Sequence, residues 1–361
     1  MPTKKLSTRY EHDLKLLPDL WHKVGLLLAL AFLLPFPLLA SGYWLGVANF
    51  ALITIVGAVG LMILTGFTGQ ISLGHAAFLG LGAYTAALLG QAGLPFWLVL
   101  PAAGLVAAVV GLAVGPFALR LKGLYLAIVT IGLLLLVNHC LISFPELTGG
   151  VGGIAVPTHA WFGEPNAVIT EFQKAVELGS LRLTFEKKLY YLFALVALLS
   201  ILAGKNLHRS NSGRALMAVR DHDLAAAALG VNPARAKITA FGISSFFGGV
   251  AGAMFAFQQQ FITVDPPFGF LMSIEYVAIV VVGGTGTIFG AVAGAIFFVV
   301  VAPLTELVGP LIPYFSELTN HQQATFLFAV VVSAFLLFEP LGLLGIWLRV
   351  KRYFALWPFR Y

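Results

Sequence analysis

One cysteine in 361 residues, Cys140, excludes a disulfide within the chain and a zinc site built from cysteines. Charge is equally scarce. Asp, Glu, Lys and Arg make up 10% of the residues, where a soluble domain carries roughly a quarter. The H-E-x-x-H pattern of zinc proteases does not occur. The G-x-x-x-x-G-K-[ST] phosphate loop is missing too, and the glycine-rich stretch Gly283-Gly284-Thr285-Gly286-Thr287 lacks the lysine such a loop needs. The nearest approach to a nucleophile with a base is Ser72 and His75, which share one short segment instead of facing each other from separate helices. These absences argue against an enzyme and against any cofactor bound by this chain.

What fills the chain is apolar. Hydrophobic residues make up 59%, and the mean hydropathy is +0.94. They come in runs such as Val24 to Ala40, Leu45 to Leu64 and Phe96 to Leu119, each long enough for a helix to cross about 30 Å of hydrocarbon. The runs lack period-2 alternation, so the fold expected is all-α, a polytopic transmembrane bundle with about 8–10 spans, and not a barrel. Spans are expected at residues 26–40, 44–64, 70–90, 95–118, 123–143, 189–203, 238–262 and 323–347, with a broken pair across 271–302. That divides the chain into a leader at 1–23, a membrane domain at 24–347 and a tail at 348–361.

The net charge of +6 comes from basic residues gathered beside spans, not from a nucleic-acid surface. The clusters are Lys4, Lys5, Arg9, Lys15 and Lys23; Lys205, Arg209, Arg214 and Arg220; and Arg349, Lys351, Arg352 and Arg360. Lys and Arg collect in cytoplasmic loops, which places both termini and residues 205–236 inside and the loop 144–188 outside. The basic start and first apolar run also resemble a secretory signal, but the long polar leader, Pro35 and Pro37 favour a retained helix. Alternation closes only if 271–302 enters and returns to one side, and glycine makes 283–287 the natural break between two half-length helices. Non-helical backbone at membrane depth is tolerated only inside protein or beside a cavity, so this break is a pathway candidate.

In the outer loop, Glu164-Pro165 and Gly179 bracket Val168, Ile169, Phe172, Val176 and Leu178, a pattern that predicts a surface helix. Four-residue glycine spacings at Gly111 and Gly115, Gly248 and Gly252, and Gly286, Gly290 and Gly294 predict close helix packing.

The most informative polar stretch is Ser212 to Pro233. Asp221 or Asp223 can cap a short helix, Ala225 to Ala228 propagate it, Gly230 ends it and Asn232-Pro233 starts the next. The product is a short rigid helix between two spans, suited to docking a partner. It resembles the coupling loop through which ABC permeases engage their ATPases. The stretch Gly66-Phe67-Thr68-Gly69-Gln70-Ile71-Ser72-Leu73-Gly74-His75-Ala76-Ala77-Phe78 resembles a signature of the branched-chain amino-acid ABC permeases, and so do Gly123 to Ala127, Leu147 to Gly150 and Gly283 to Thr287. The match runs in order from about residue 44 to 347 and is closest to the M-type subunit.

The resemblance implies a permease subunit in a bacterial cytoplasmic membrane, working beside an H-type permease, two ATPases that use the ATP, and an external substrate-binding protein. Val151-Gly152-Gly153-Ile154 departs from the family pattern, which has an asparagine before the glycine, so urea and short-amide importers stay beside leucine-like amino acids as substrates. The residues expected to couple to the ATPases are Arg214, Arg220, Asp221, Asp223, Leu229 and Gly230. Pathway candidates are Gln70, Ser72, His75, Glu275, Gly283, Gly284, Thr285 and Thr287, since polar groups in spans face cavities or each other. Gln70 and Ser72 also suit a helix cap, and His75 a structural hydrogen bond. The N–H groups after the glycine break can point at a substrate carboxylate. A secondary transporter also uses broken helices, but it has no need of the docking segment.

Overall fold

The computed structural model describes residues 31, 33–119, 121, 123–157, 176–178, 181–308, 320–339 and 341–355. The helices follow the apolar runs. They are α1 (Gly42–Leu61), extended by a π-helical turn at Met62–Gly66, α2 (His75–Gln91), α3 (Phe96–Leu119), α4 (Leu124–Ser143), α5 (Phe185–Arg209), α6 (Asn211–Asp221), α7 (Asp223–Ala228), α8 (Pro233–Gln259), α9 (Phe270–Gly283), α10 (Ile288–Val308), α11 (Asn320–Phe338) and α12 (Gly342–Ala355). Strand content is slight: β1 (Ile154–Ala155) pairs antiparallel with β4 (Phe261–Ile262), and β2 (Val176–Leu178) with β3 (Leu181–Leu183).

Among the described residues, α1 with its π turn, α3, α4, α5 and α8 are each long and apolar enough to cross a membrane. The pair α9 and α10 adds one more crossing or a re-entrant element, bent by 120° between its halves. The fold is the helical membrane bundle expected. Its axis is α8, which packs chiefly on α3, α2 and α1 and is almost wholly buried. The outer helices turn leucine and valine outward, as at Leu105, Val109, Leu135, Leu136, Leu195 and Leu199. Lipid tails solvate these side chains as well as a core would, so burial is left to small residues that let backbones approach. Gly249 shows this directly: a Cβ there would sit 2.6 Å from the Ala103 carbonyl oxygen on α3.

Several boundaries differ from the sequence expectation. α2 starts at His75 instead of residue 70, because residues 69–74 descend into the bundle without helical structure. The expected span 323–347 is two helices. Phe338 ends α11 two residues before Pro340, whose ring disfavours helix in the residue preceding it, and Gly342 opens α12 with φ +63°. The outer-loop helix does not reach Val176 and Leu178, which form β2; Val-Glu-Leu and Leu-Arg-Leu alternate with period two on either side of Gly179-Ser180, a hairpin pattern. Residues 165–175 of that expected helix, the leader 1–23 and residues 26–30 and 32 of the expected span 26–40 lie outside the described residues, and within that span Phe36–Leu39 forms a short helix. The broken pair is unequal rather than two halves: α9 has 14 residues and α10 has 21.

The tight α8 crossing sets a prediction. Gly249→Val is expected to destabilise the detergent-solubilised protein by about 1–3 kcal/mol or more through overpacking against α3, read as a lower unfolding temperature. Gly132→Ala on α4, where a Cβ meets nothing within 4 Å, is the control and should not lower it.

Candidate functional site

The segment between α5 and α8 folds as its residues dictate. Ser210 caps α6 by accepting from the Gly213 N–H at 3.0 Å, and Leu216 and Val219 bury one face of α6 against the bundle. His222, in extended conformation, takes the cap position of α7, where Asp221 or Asp223 was expected; neither aspartate is placed there because α6 runs through Asp221 and Asp223 is already the first helical residue. Asp223 still lies in the first turn, near the positive end of the helix. Gly230 follows α7 at φ +85°, a conformation that glycine adopts without strain. Asn232 then accepts from the Arg235 N–H at 3.1 Å and Pro233 opens α8. An ion pair between Asp223 and Lys237, at 3.8 Å, ties α7 to α8. Arg214 bonds Asn211 on the solvent side. Leu224 and Leu229 are 75% and 85% exposed, so α7 shows an apolar edge on a pinned frame.

Arg220 reaches from this frame into the bundle. Its Nη1 donates to the Gly66 carbonyl at 2.8 Å, and its Nε donates to Asp221 at 2.9 Å. Gly66 is the last residue of the π turn that ends α1, so its carbonyl is one that the helix leaves open. The preceding carbonyls are taken locally: Leu64 accepts from Thr68 Oγ1 at 2.6 Å and Thr65 from the Gly69 N–H at 3.1 Å. A guanidinium at a helix C-terminus also meets the negative end of the helix dipole. Gly286, with φ +94°, lies against the same groups: its N–H is 3.3 Å from Met62 Sδ, and a Cβ there would stand 3.2 Å from Arg220 Nη1. One arginine therefore joins the α6–α7 segment, the end of α1 and the glycine break.

That contact places the break. It sits at the end of the bundle that carries α6 and α7, not halfway through, and Ile288 beside Gly204 near the end of α5 agrees. Thr287 Oγ1 accepts from the Gly290 N–H at 3.1 Å, so Thr287 caps α10. With the Gly286 N–H on Met62, two of the donors expected to face a substrate are engaged within the chain. Thr285 is exposed, while Gly283 and Gly284 are buried where α9 and α10 cross.

Irregular backbone at depth is found instead at residues 69–74. The Leu73 N–H donates to Thr130 Oγ1 at 2.9 Å, about two turns inside α4. The Ala76 N–H, in the open first turn of α2, donates to Ser273 Oγ of α9 at 3.0 Å. Ser72 is buried and accepts from the Gly74 N–H. Gln70 donates to Thr68 and to the Lys237 carbonyl and lines a cavity of about 300 Å³ with Gly123, Asp221, His222 and Asp223. His75 is 1% exposed; its Nε2 donates to the Gly57 carbonyl at 3.0 Å and its ring meets Tyr276 edge-on at 5.1 Å. Glu275, next to Tyr276, is half-buried on α9.

The structure thus brings Gln70, Arg220, Asp221 and Asp223 to one cavity and Gly286 to its edge, and sets Ser72, His75 and Glu275 deeper, around the start of α2. Sequence reasoning missed Met62, Gly66, Thr130 and Ser273. Thr130 and Ser273 are isolated hydroxyls in apolar runs, the one signal that could have marked them.

Comparison with known proteins agrees with this architecture. Residues 43–338 match the model of the family described as branched-chain amino acid transport system / permease component. The chain is 37% identical over 295 residues to the high-affinity branched-chain amino acid transport system permease protein LivM of Salmonella typhimurium, covering 77% of this chain and 67% of that protein. LivM of Escherichia coli gives the same identity and coverage. The autoinducer 2 import system permease protein LsrC of an Enterobacter species is 35% identical over 106 residues, 28% of this chain and 31% of its own. No solved structure matches significantly. The helical membrane bundle and the family model matched across it agree: the chain belongs to the branched-chain amino acid transport system permease family, a family of membrane transport subunits.

Proposed function

We propose that this chain is the M-type permease subunit of an ATP-driven importer for branched-chain amino acids, lying in the bacterial cytoplasmic membrane with both termini and the α6–α7 segment in the cytoplasm. An H-type permease stands beside it, two ATPases lie on the cytoplasmic side with one of them engaging α7, and a substrate-binding protein delivers from outside. The substrate comes from the 37% identical relatives, and ATP hydrolysis belongs to the partners.

The observation that carries the mechanism is the reach of Arg220. The exposed edge of α7, with Leu224 and Leu229, offers an ATPase something to push. Leu216 and Val219 hold α6 to the bundle, so the push moves Arg220 as part of a rigid frame. Arg220 passes it to Gly66 and Gly286 together. A π turn and a glycine break are the places where helices yield most readily. Displacement at the docking segment therefore changes the angle between α1 and the α9–α10 pair, which rocks the bundle between outward and inward openings. Gln70, Ser72, His75 and Glu275 lie along the elements that move, which is the basis for keeping them as pathway residues.

Two variants test the coupling in the assembled importer, reconstituted with its ATPases and binding protein. Arg220→Gln removes a hydrogen bond from a charged donor, worth about 1.5–3 kcal/mol. It is expected to cut leucine uptake by tenfold or more while the protein remains in the membrane and ATP hydrolysis continues; normal uptake would remove the assignment. Gly230→Pro cannot adopt φ +85° and loses the N–H that bonds Ala227. It is expected to abolish both uptake and co-purification of the ATPases. Recovery of the unmodified chain without ATPases or a second permease from gently solubilised membranes would overturn the importer reading, and preferential uptake of urea over leucine would overturn the substrate.

A further inference from the structure

We infer that α12 is an interfacial helix that binds anionic phospholipid of the bilayer and thereby fixes the position of the glycine break. Two observations meet in this helix. Its first turn is clamped to the break: a Cβ on Gly284 would stand 2.7 Å from the Leu341 carbonyl and from Leu344 Cβ, and one on Gly342 would stand 2.9 Å from the Gly284 nitrogen. Trp347 also meets Phe289 of α10, with ring centroids 5.8 Å apart. The helix cannot shift without moving the residues where α9 turns into α10.

Its second half is left outside the bundle. Ile346, Trp347, Leu348, Val350 and Tyr353 are all exposed, between 41% and 55%. Ile346, Trp347 and Val350 fall on one side at three- and four-residue spacing, while Arg349 and Arg352 fall on another. The helix carries three basic residues and no acidic one. Glu339, just ahead of it, is already paired with Arg349, and the side chain of Arg349 remains 67% exposed. An exposed apolar stripe flanked by an excess of positive charge is the signature of a helix lying in the headgroup layer of an anionic membrane. Its place, at the end of a membrane bundle beside the break, puts that layer within reach. A protein partner would have to supply both an apolar groove and acidic groups, whereas an anionic leaflet presents both along the whole helix.

The test uses the full chain in its assembly, with Cys140→Ser as background and a fluorophore on Val350→Cys. It is reconstituted in bilayers of phosphatidylcholine, with or without phosphatidylglycerol, and nitroxide-labelled lipid serves as the quencher. Strong quenching by headgroup-level nitroxide is expected with phosphatidylglycerol. Each basic residue raises binding to an anionic surface about fivefold, so Lys351→Glu with Arg352→Glu should reduce the quenching at least about fivefold and make it indifferent to phosphatidylglycerol. Quenching that ignores lipid charge in the unmodified helix would overturn the electrostatic part of the proposal. A fluorophore shielded from nitroxide in every bilayer would assign the face to a protein neighbour and overturn it altogether. Neither readout involves transport, so the result stands apart from the importer reading.

Discussion

Every backbone N–H and C=O that a helix leaves open inside hydrocarbon must find a partner within the protein, because no water is there to supply one. In an unbroken span this condition is met automatically. Here the helices are interrupted twice, at residues 69–74 within the bundle and at 284–287 near its end, and several polar contacts answer those two interruptions. Thr130 takes the Leu73 N–H, Ser273 takes the Ala76 N–H, Thr287 takes the Gly290 N–H, and Arg220 serves the Gly66 carbonyl. An unpaired buried group costs roughly 1–3 kcal/mol, so each of these contacts is worth as much as a large share of a domain's net stability.

The same condition explains how much of the molecule was legible in the sequence. Regular spans were visible because their apolar runs and their hydrogen bonding are both local. The α7 helix with Gly230 and Asn232-Pro233 was visible for the same reason: capping is written within a few residues. The start of α2 was not. Gln70 to Gly74 reads as the head of a span, and only Thr130, about 57 residues later, makes a non-helical descent affordable there. The π turn at Met62–Gly66 carries no sequence mark of its own, and its open carbonyl is answered 154 positions away by Arg220. The candidate site was legible as residue types on two separate segments, but their junction was a tertiary fact.

Position in the bundle was the hardest quantity to read. Glycine identified 283–287 as a break, but composition does not say how deep a break lies. Depth follows from neighbours: Gly286 against Arg220 and Gly66, Ile288 against Gly204, and Gly284 against Leu344 put it at the end that carries α6 and α7. A break at mid-depth would suit a substrate site built from exposed N–H groups. A break at the bundle end, with those donors engaged by Met62 and Thr287, suits a joint.

The choice of arginine at position 220 follows from that geometry. Two elements meet there, the π end of α1 and the turn after α9, and one side chain addresses both from a third. A lysine ammonium is a compact, strongly hydrated charge whose three donors rotate freely, so a bond to the Gly66 carbonyl would not fix its orientation. The guanidinium is planar, always charged and carries five donors in a fixed fork. Its Nη1 holds Gly66 while Nε and Nη2 stay on Asp221, so the plane is oriented by its own helix. The same plane passes close to Gly286, where a Cβ would stand 3.2 Å from Nη1 and where a φ of +94° already favours glycine. The arginine, the aspartate beside it and the glycine facing it therefore form one steric and electrostatic unit.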